Sequence, residues 1–147
     1  MSAEERAAEL FKQQYNCAES VLLAVCEVTN AGVSDVPRIA TAFGGGVGRM
    51  GGLCGALAGA VIAIGIAHGR DTAQESRDPA YDRAQHLFQE FQKIMGATTC
   101  HELIGLDIST AEGYQRFHVS GKREQVCFPA VALAARLAVE VSQPKAS

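Results

Sequence analysis

Apolar residues recur at helical spacing along most of this chain. Ala3, Ala7, Leu10 and Phe11 fall on one face of a first helix over residues 2–15, which Ser2 and Glu5 open as a capping box. Asn16 interrupts it and caps a second helix, with Glu19 at the third helical position and Val21, Leu22, Val25 and Val28 on its apolar face. Asn30-Ala31-Gly32 ends that helix. Ser34 or Asp35 starts a short third one, with Pro37 in its first turn, that runs to Phe43.

A fourth helix is predicted over residues 53–67, apolar all round and therefore buried. His68 to Arg77 is a polar connector. Asp78 caps a fifth helix with Pro79 at its first position, and Tyr81, Leu87, Phe88, Phe91 and Ile94 form its stripe. That aromatic stripe reads as core. Gly96 ends the helix, and Thr99 with Glu102 forms a further capping box that puts Cys100 at the start of a short helix. Residues 107–121 read as irregular or briefly helical. The last helix begins near Cys127-Phe128-Pro129 and carries Val131, Leu133, Leu137 and Val141. The pattern predicts a single all-α domain over residues 1–147, a bundle of about six helices around a central Gly/Ala-rich one.

That central helix follows a glycine cluster, FGGGVGRMGGLCGALAG from Phe43 to Gly59. Glycines there let the backbone take positive φ and approach another group closely. The expected neighbour is a reactive sulfur or a bound group. Gly46-Val47-Gly48-Arg49-Met50-Gly51 matches GxGxxG, but no strand precedes it, so a dinucleotide fold is not indicated. An anion-binding nest at Gly46, Gly48, Arg49 and Gly51, at the head of the fourth helix, is the functional alternative to a loop squeezed between helices. Gly55, Gly59 and Gly65 each cost about 1 kcal/mol relative to Ala in a helix interior. Small residues at Gly51, Gly55 and Gly59 permit close helix approach, within the chain or across a homodimer.

Composition narrows the function classes. The formal charge is −3 over 147 residues with no basic face, so nothing points to nucleic acid. MSAEERAAELF is acidic and amphipathic, unlike a secretory signal, and the expectation is a cytoplasmic protein with reduced thiols. The apolar run at 51–67 falls short of the roughly 20 residues a membrane span needs, so no stable insertion is expected.

The five cysteines contain no CxxC pair, which weakens a zinc-ribbon reading. Cys17, Cys54, Cys100 and Cys127 each fall within a residue or two of a predicted helix N-terminus. Unpaired N–H groups and the helix dipole there favour thiolate, the form that attacks disulfides and binds metals. Cys26 lies on the opposite side of its helix from Cys17 and reads as a small buried hydrophobe.

NCAESVL, GGLCGALAGA and the two later single cysteines resemble the C_GCAxxG_C_C family of redox-active proteins over nearly the whole chain. Its pattern is an early cysteine, a CGAxxG motif, here Cys54–Gly59, and two later cysteines. The resemblance implies redox activity through Cys17, Cys54, Cys100 and Cys127, with no substrate attached, and a gene context that suggests small molecules or metals. It extends to a domain of split-Soret cytochromes c, but this chain has no CxxCH for haem attachment.

Three functions follow as expectations. The first is thiol–disulfide chemistry with a redox partner or small molecule, Cys54 attacking because glycines open access to it, and Cys17 resolving. The second is a zinc or iron–sulfur site on the four cysteines, with His101 or His118 replacing one ligand. The third is small-anion binding at the glycine loop with Arg49. No HExxH or GxSxG motif supports a hydrolase.

Overall fold

The computed structural model describes residues 1–143, and within them the chain is all-helical with no strand. The helices are α1 (Ala3–Lys12), α2 (Cys17–Thr29), α3 (Gly44–Val47), α4 (Gly55–His68), α5 (Asp78–Met95), α6 (Cys100–Ile104), α7 (Ala111–Ser120) and α8 (Phe128–Ser142). A 3-10 segment, Arg38–Phe43, precedes α3, and a π-helical turn, Arg123–Cys127, leads into α8 without a break. The central element is α4, packed against α2, α5 and α8, while α1 lies across α2 and α8.

The capping residues set the helix starts. Ser2 accepts the Glu5 N–H at 3.2 Å. Asn16 and Glu19 form a reciprocal capping box at 2.9 and 3.0 Å, and Thr99 accepts the Glu102 N–H at 3.2 Å. Asn30 and Gly96 close α2 and α5 in the left-handed conformation. Helix α1 stops at Lys12 rather than Tyr15, because Gln14 turns to φ 80°. Pro37 stands ahead of the 3-10 segment instead of inside a first turn, and α5 starts one residue early, with Arg77 in the cap position.

Small residues decide how closely α4 approaches α2. A Cβ on Gly59 would lie 2.5 Å from the Ala18 carbonyl oxygen, and one on Gly55 would meet the Phe43 carbonyl oxygen at 3.1 Å and the Cys17 Cβ at 3.4 Å. The close approach is therefore made within the chain. The first six residues of α4 are all buried, but its second half exposes Val61, Gly65 and Ala67, so its burial is complete only at the cysteine end.

Two sequence expectations are corrected. Residues 111–120 form a regular helix, α7, capped by Thr110. None of its residues is buried, which is why no apolar period marked it. Cys127 does not begin a helix: it has helical dihedrals (φ −69°, ψ −42°) within a continuous helical run from Arg123 to Ser142. Pro129 lacks an N–H and crowds the preceding turn, and the widened π turn just before it accommodates that defect. The same run is long and apolar enough to cross a membrane by length and composition, but Val131, Ala134, Ala135 and Ala138 are fully buried against the other helices.

Candidate functional site

The glycine cluster folds as a left-handed turn. Gly45, Gly46, Val47, Gly48 and Arg49 have φ of 67, 72, 68, 57 and 68° in succession. L-residues pay roughly 1–2 kcal/mol for this handedness, so the chain uses glycine at three of the five positions. Val47, β-branched at positive φ, is a strained exception of the kind that gathers at functional sites. The turn satisfies itself: the N–H groups of Gly48, Arg49, Gly51 and Gly52 donate to Ala42, Gly44, Gly45 and Gly46. They are spent on carbonyls and do not form an open anion nest. Gly48 and Arg49 line a cleft of which Gly46 and Gly51 are not part.

The turn packs against the returning chain at Gly52 and against Cys100. A Cβ on Gly46 would stand 2.8 Å from the Cys100 Cβ and 2.6 Å from the Gly52 backbone. Just beyond, the chain pairs antiparallel for one bridge, Leu53 with Thr99. The Cys54 N–H donates to Thr98 at 2.8 Å and the Cys100 N–H to Gly52 at 2.8 Å. That bridge ties the start of α4 to the start of α6, and thereby Cys54 to Cys100. On the other side, Gly55 lets Cys17, the first residue of α2, reach the same place. The π turn supplies Cys127.

The four sulfurs line one small apolar cavity of about 20 Å³, walled by residues such as Leu103, Ile104 and Ala130. Each cysteine is close enough to feel the charge of every other. All five cysteines are free thiols. Cys26 is buried elsewhere in the core and feels none of the other four.

Burial, with help from the neighbouring thiolates, pushes all four thiols upward. Cys17 and Cys100 are each pushed up to about 11, and Cys127 is raised further. Cys54 is also raised by burial, against the pull of the Leu57 and Ala56 N–H groups at the start of α4. The Gly45 N–H, its own N–H and Arg123 favour the Cys17 thiolate without overcoming burial. The expectation of low-pKa thiols at helix starts is therefore overturned. Helix-terminal N–H groups act on Cys17 and Cys54, but desolvation is the larger effect. Nor is Cys54 opened by its flanking glycines: it is 7% exposed.

Outside the cavity lies a cleft of about 510 Å³. Cys17, Cys100 and Cys127 line both spaces, while Cys54 lines only the inner one. Much of the cleft wall comes from residues that sequence reasoning assigned no role, among them Phe11, Tyr114 and Arg123. The Arg49 guanidinium lies 4.0 Å over the Tyr114 ring and donates to its hydroxyl at 3.0 Å. The Arg123 guanidinium sits 4.1 Å over the Phe11 ring and donates to the Phe11 carbonyl at 2.7 Å. His118 stacks edge-on with Tyr114 at 4.4 Å. Arg49 carried a sequence signal through its place in the glycine cluster, and His118 as a candidate metal ligand. Arg123, Tyr114 and Phe11 carried none, because long-range packing brings them together.

This geometry bears on the zinc and iron–sulfur expectations. A four-thiolate zinc site needs every sulfur about 2.3 Å from one point. Among the described residues, no three Cys, His, Asp or Glu side chains converge in that way. The shared cavity holds about one water-sized body, less than an iron–sulfur cluster requires. His101 lines neither space; its ring nitrogen lies 3.2 Å from the Leu106 carbonyl. The residues as placed do not fit a preformed metal centre.

An uncharacterized protein of Archaeoglobus fulgidus is 28% identical over 120 residues, which cover 75% of this chain and 80% of that protein. No solved structure matches the chain. Residues 15–141 match the family described as "Putative redox-active protein (C_GCAxxG_C_C)", a span that includes all four clustered cysteines. The chain belongs to the C_GCAxxG_C_C redox-active family.

Proposed function

We propose that the protein is a thiol–disulfide reductant in which Cys17 attacks and Cys54 resolves. The observation that carries this reading is the division of the cluster: Cys17, Cys100 and Cys127 line the cleft, while the buried Cys54 lines only the small cavity. Cys17 is the cleft-facing sulfur with the most help for its thiolate, from two N–H groups and Arg123. Exchange at sulfur proceeds in line, so the second thiol must approach from the side opposite the departing group. With substrate in the cleft, that side is the buried one, where Cys54 sits beside the α4 N-terminus.

The electron count closes in two steps. The Cys17 thiolate attacks a disulfide R–S–S–R′, forms a mixed disulfide and expels R′S⁻, which takes the proton Cys17 released. The Cys54 thiolate then attacks the Cys17 sulfur and expels RS⁻, leaving a Cys17–Cys54 disulfide. Two electrons and two protons pass to the substrate, and a dithiol donor resets the pair. Raised thiol pKa values mean that the reduced state gains little from thiolate stabilisation. That favours giving electrons over taking them, the reverse of a strongly oxidising pair whose reduced form is stabilised.

Counting free thiols tests this. Mild oxidation of the reduced protein should lower the count from five to three. Cys17→Ser and Cys54→Ser should each hold it at four through the first phase, and Cys26→Ser should still lose two. A count that does not fall, or that falls equally in Cys17→Ser, contradicts the assignment.

A further inference from the structure

We propose that the cleft admits small anionic disulfides in preference to neutral or cationic ones, an inference about substrate class that rests on the redox reading above. Its volume of about 510 Å³ is that of a small-molecule site. No Asp or Glu lines it, although acids outnumber basic residues in the chain as a whole. Two guanidinium groups do line it, Arg49 from the left-handed turn and Arg123 from the π turn.

Neither guanidinium is neutralised. The ion pairs among the described residues involve Arg6, Arg116 and Arg136, and not Arg49 or Arg123. Both instead lie over aromatic rings and each donates one hydrogen bond to an uncharged oxygen. Stacking holds a guanidinium in place and leaves other N–H donors for a carboxylate, which it binds in a planar fork. Phe11, Tyr114 and Phe117 give the cleft apolar and aromatic surface for the carbon body of a ligand. Cys17, Cys100 and Cys127 are half-buried within the cleft, where a slender disulfide can reach them.

The chemistry is the exchange described above with a specified partner. One molecule of an acidic disulfide gains two electrons and two protons and leaves as two thiols. The protein keeps one disulfide.

Anaerobically reduced full-length protein should be mixed at low ionic strength with oxidised glutathione (anionic), hydroxyethyl disulfide (neutral) or cystamine (cationic), and protein thiol loss followed. Oxidised glutathione should react at least about tenfold faster than cystamine, the scale of electrostatic steering, and the ratio should shrink as salt is added. Arg49→Gln and Arg123→Gln should each reduce the ratio, and Arg49→Lys should keep most of it. Equal rates, or cystamine fastest, overturn the inference while leaving the redox reading intact. Calorimetry on Cys17→Ser separates binding from chemistry. It should show oxidised glutathione binding at least about tenfold more tightly than cystamine, and equal affinities overturn the inference. If Cys17→Ser shows that preference but the natural protein forms no disulfide with any of the three, the redox reading fails and the anion site stands.

Discussion

The two spaces that share the cysteine cluster differ in almost every physical respect. The inner cavity is about 20 Å³ and apolar, walled by the four cysteines and by residues such as Gly55, Ala56 and Ala130. The outer cleft is about 510 Å³, with two guanidiniums and several aromatic rings along its walls. Burial in the first raises every thiol, and Arg123 in the second pulls Cys17 and Cys127 down slightly. The contrast teaches that clustering sulfur and activating sulfur are separate tasks here. Glycine and small apolar residues perform the first, and Arg123, far from Cys17 in sequence, bears on the second.

The left-handed turn beside the cluster should be the most fragile part, and glycine substitutions there give the largest expected effects. Gly46→Ala adds a carbon at 2.6 Å from the Gly52 backbone while holding φ at +72°. Overpacking and the left-handed penalty together should cost about 2–5 kcal/mol in urea unfolding. Gly48→Ala, at φ +57° with nothing within 4 Å, should cost only about 1–2 kcal/mol, the dihedral penalty alone. Equal losses at the two positions would show that close packing on Gly52 and Cys100 is not what Gly46 serves.

The raised thiols predict a pH dependence of intermediate size. Cys17 and Cys100 move from 9.0 to about 11 on folding, because burial disfavours their thiolates. The folded state thus holds its protons longer than the unfolded chain. The stability from this source is fully present below pH 9 and lost as pH rises to about 11. Urea midpoints should fall across that window, and by less in Cys17→Ser. Alkylation of Cys17 in the native protein should accelerate through the same window. A plateau of alkylation below pH 8 would mean that the cleft's cations outweigh burial.

The smallest effect belongs to the α2 start that presents Cys17. Asn16→Ala removes the side chain that accepts the Glu19 N–H at 2.9 Å, and should cost about 1 kcal/mol. Because Cys17 follows directly, the same change should also slow its oxidation. Loss of stability with unchanged oxidation would separate the cap from the site.

Much of this architecture was legible in the sequence where the signal is local. Capping boxes at Ser2, Asn16 and Thr99 marked three helix starts, and the glycine run announced a backbone pressed against something. That something is the Gly52 backbone together with Cys100, as the missing Cβ of Gly46 shows. Cys127 misled because Pro129 normally follows a helix start, whereas a π turn absorbs it here. Helix α7 escaped notice because it buries nothing, yet it brings Tyr114 and His118 to the cleft. Thiol pKa was misjudged from helix position alone, since desolvation depends on the packed surroundings that sequence does not display.

Peptide mapping of the singly oxidised protein by mass spectrometry tests the central claim most directly. The account predicts one dominant disulfide joining the Cys17 and Cys54 peptides, with Cys26 always recovered as free thiol. A dominant bond that omits Cys17, or any stable bond to Cys26, would contradict it.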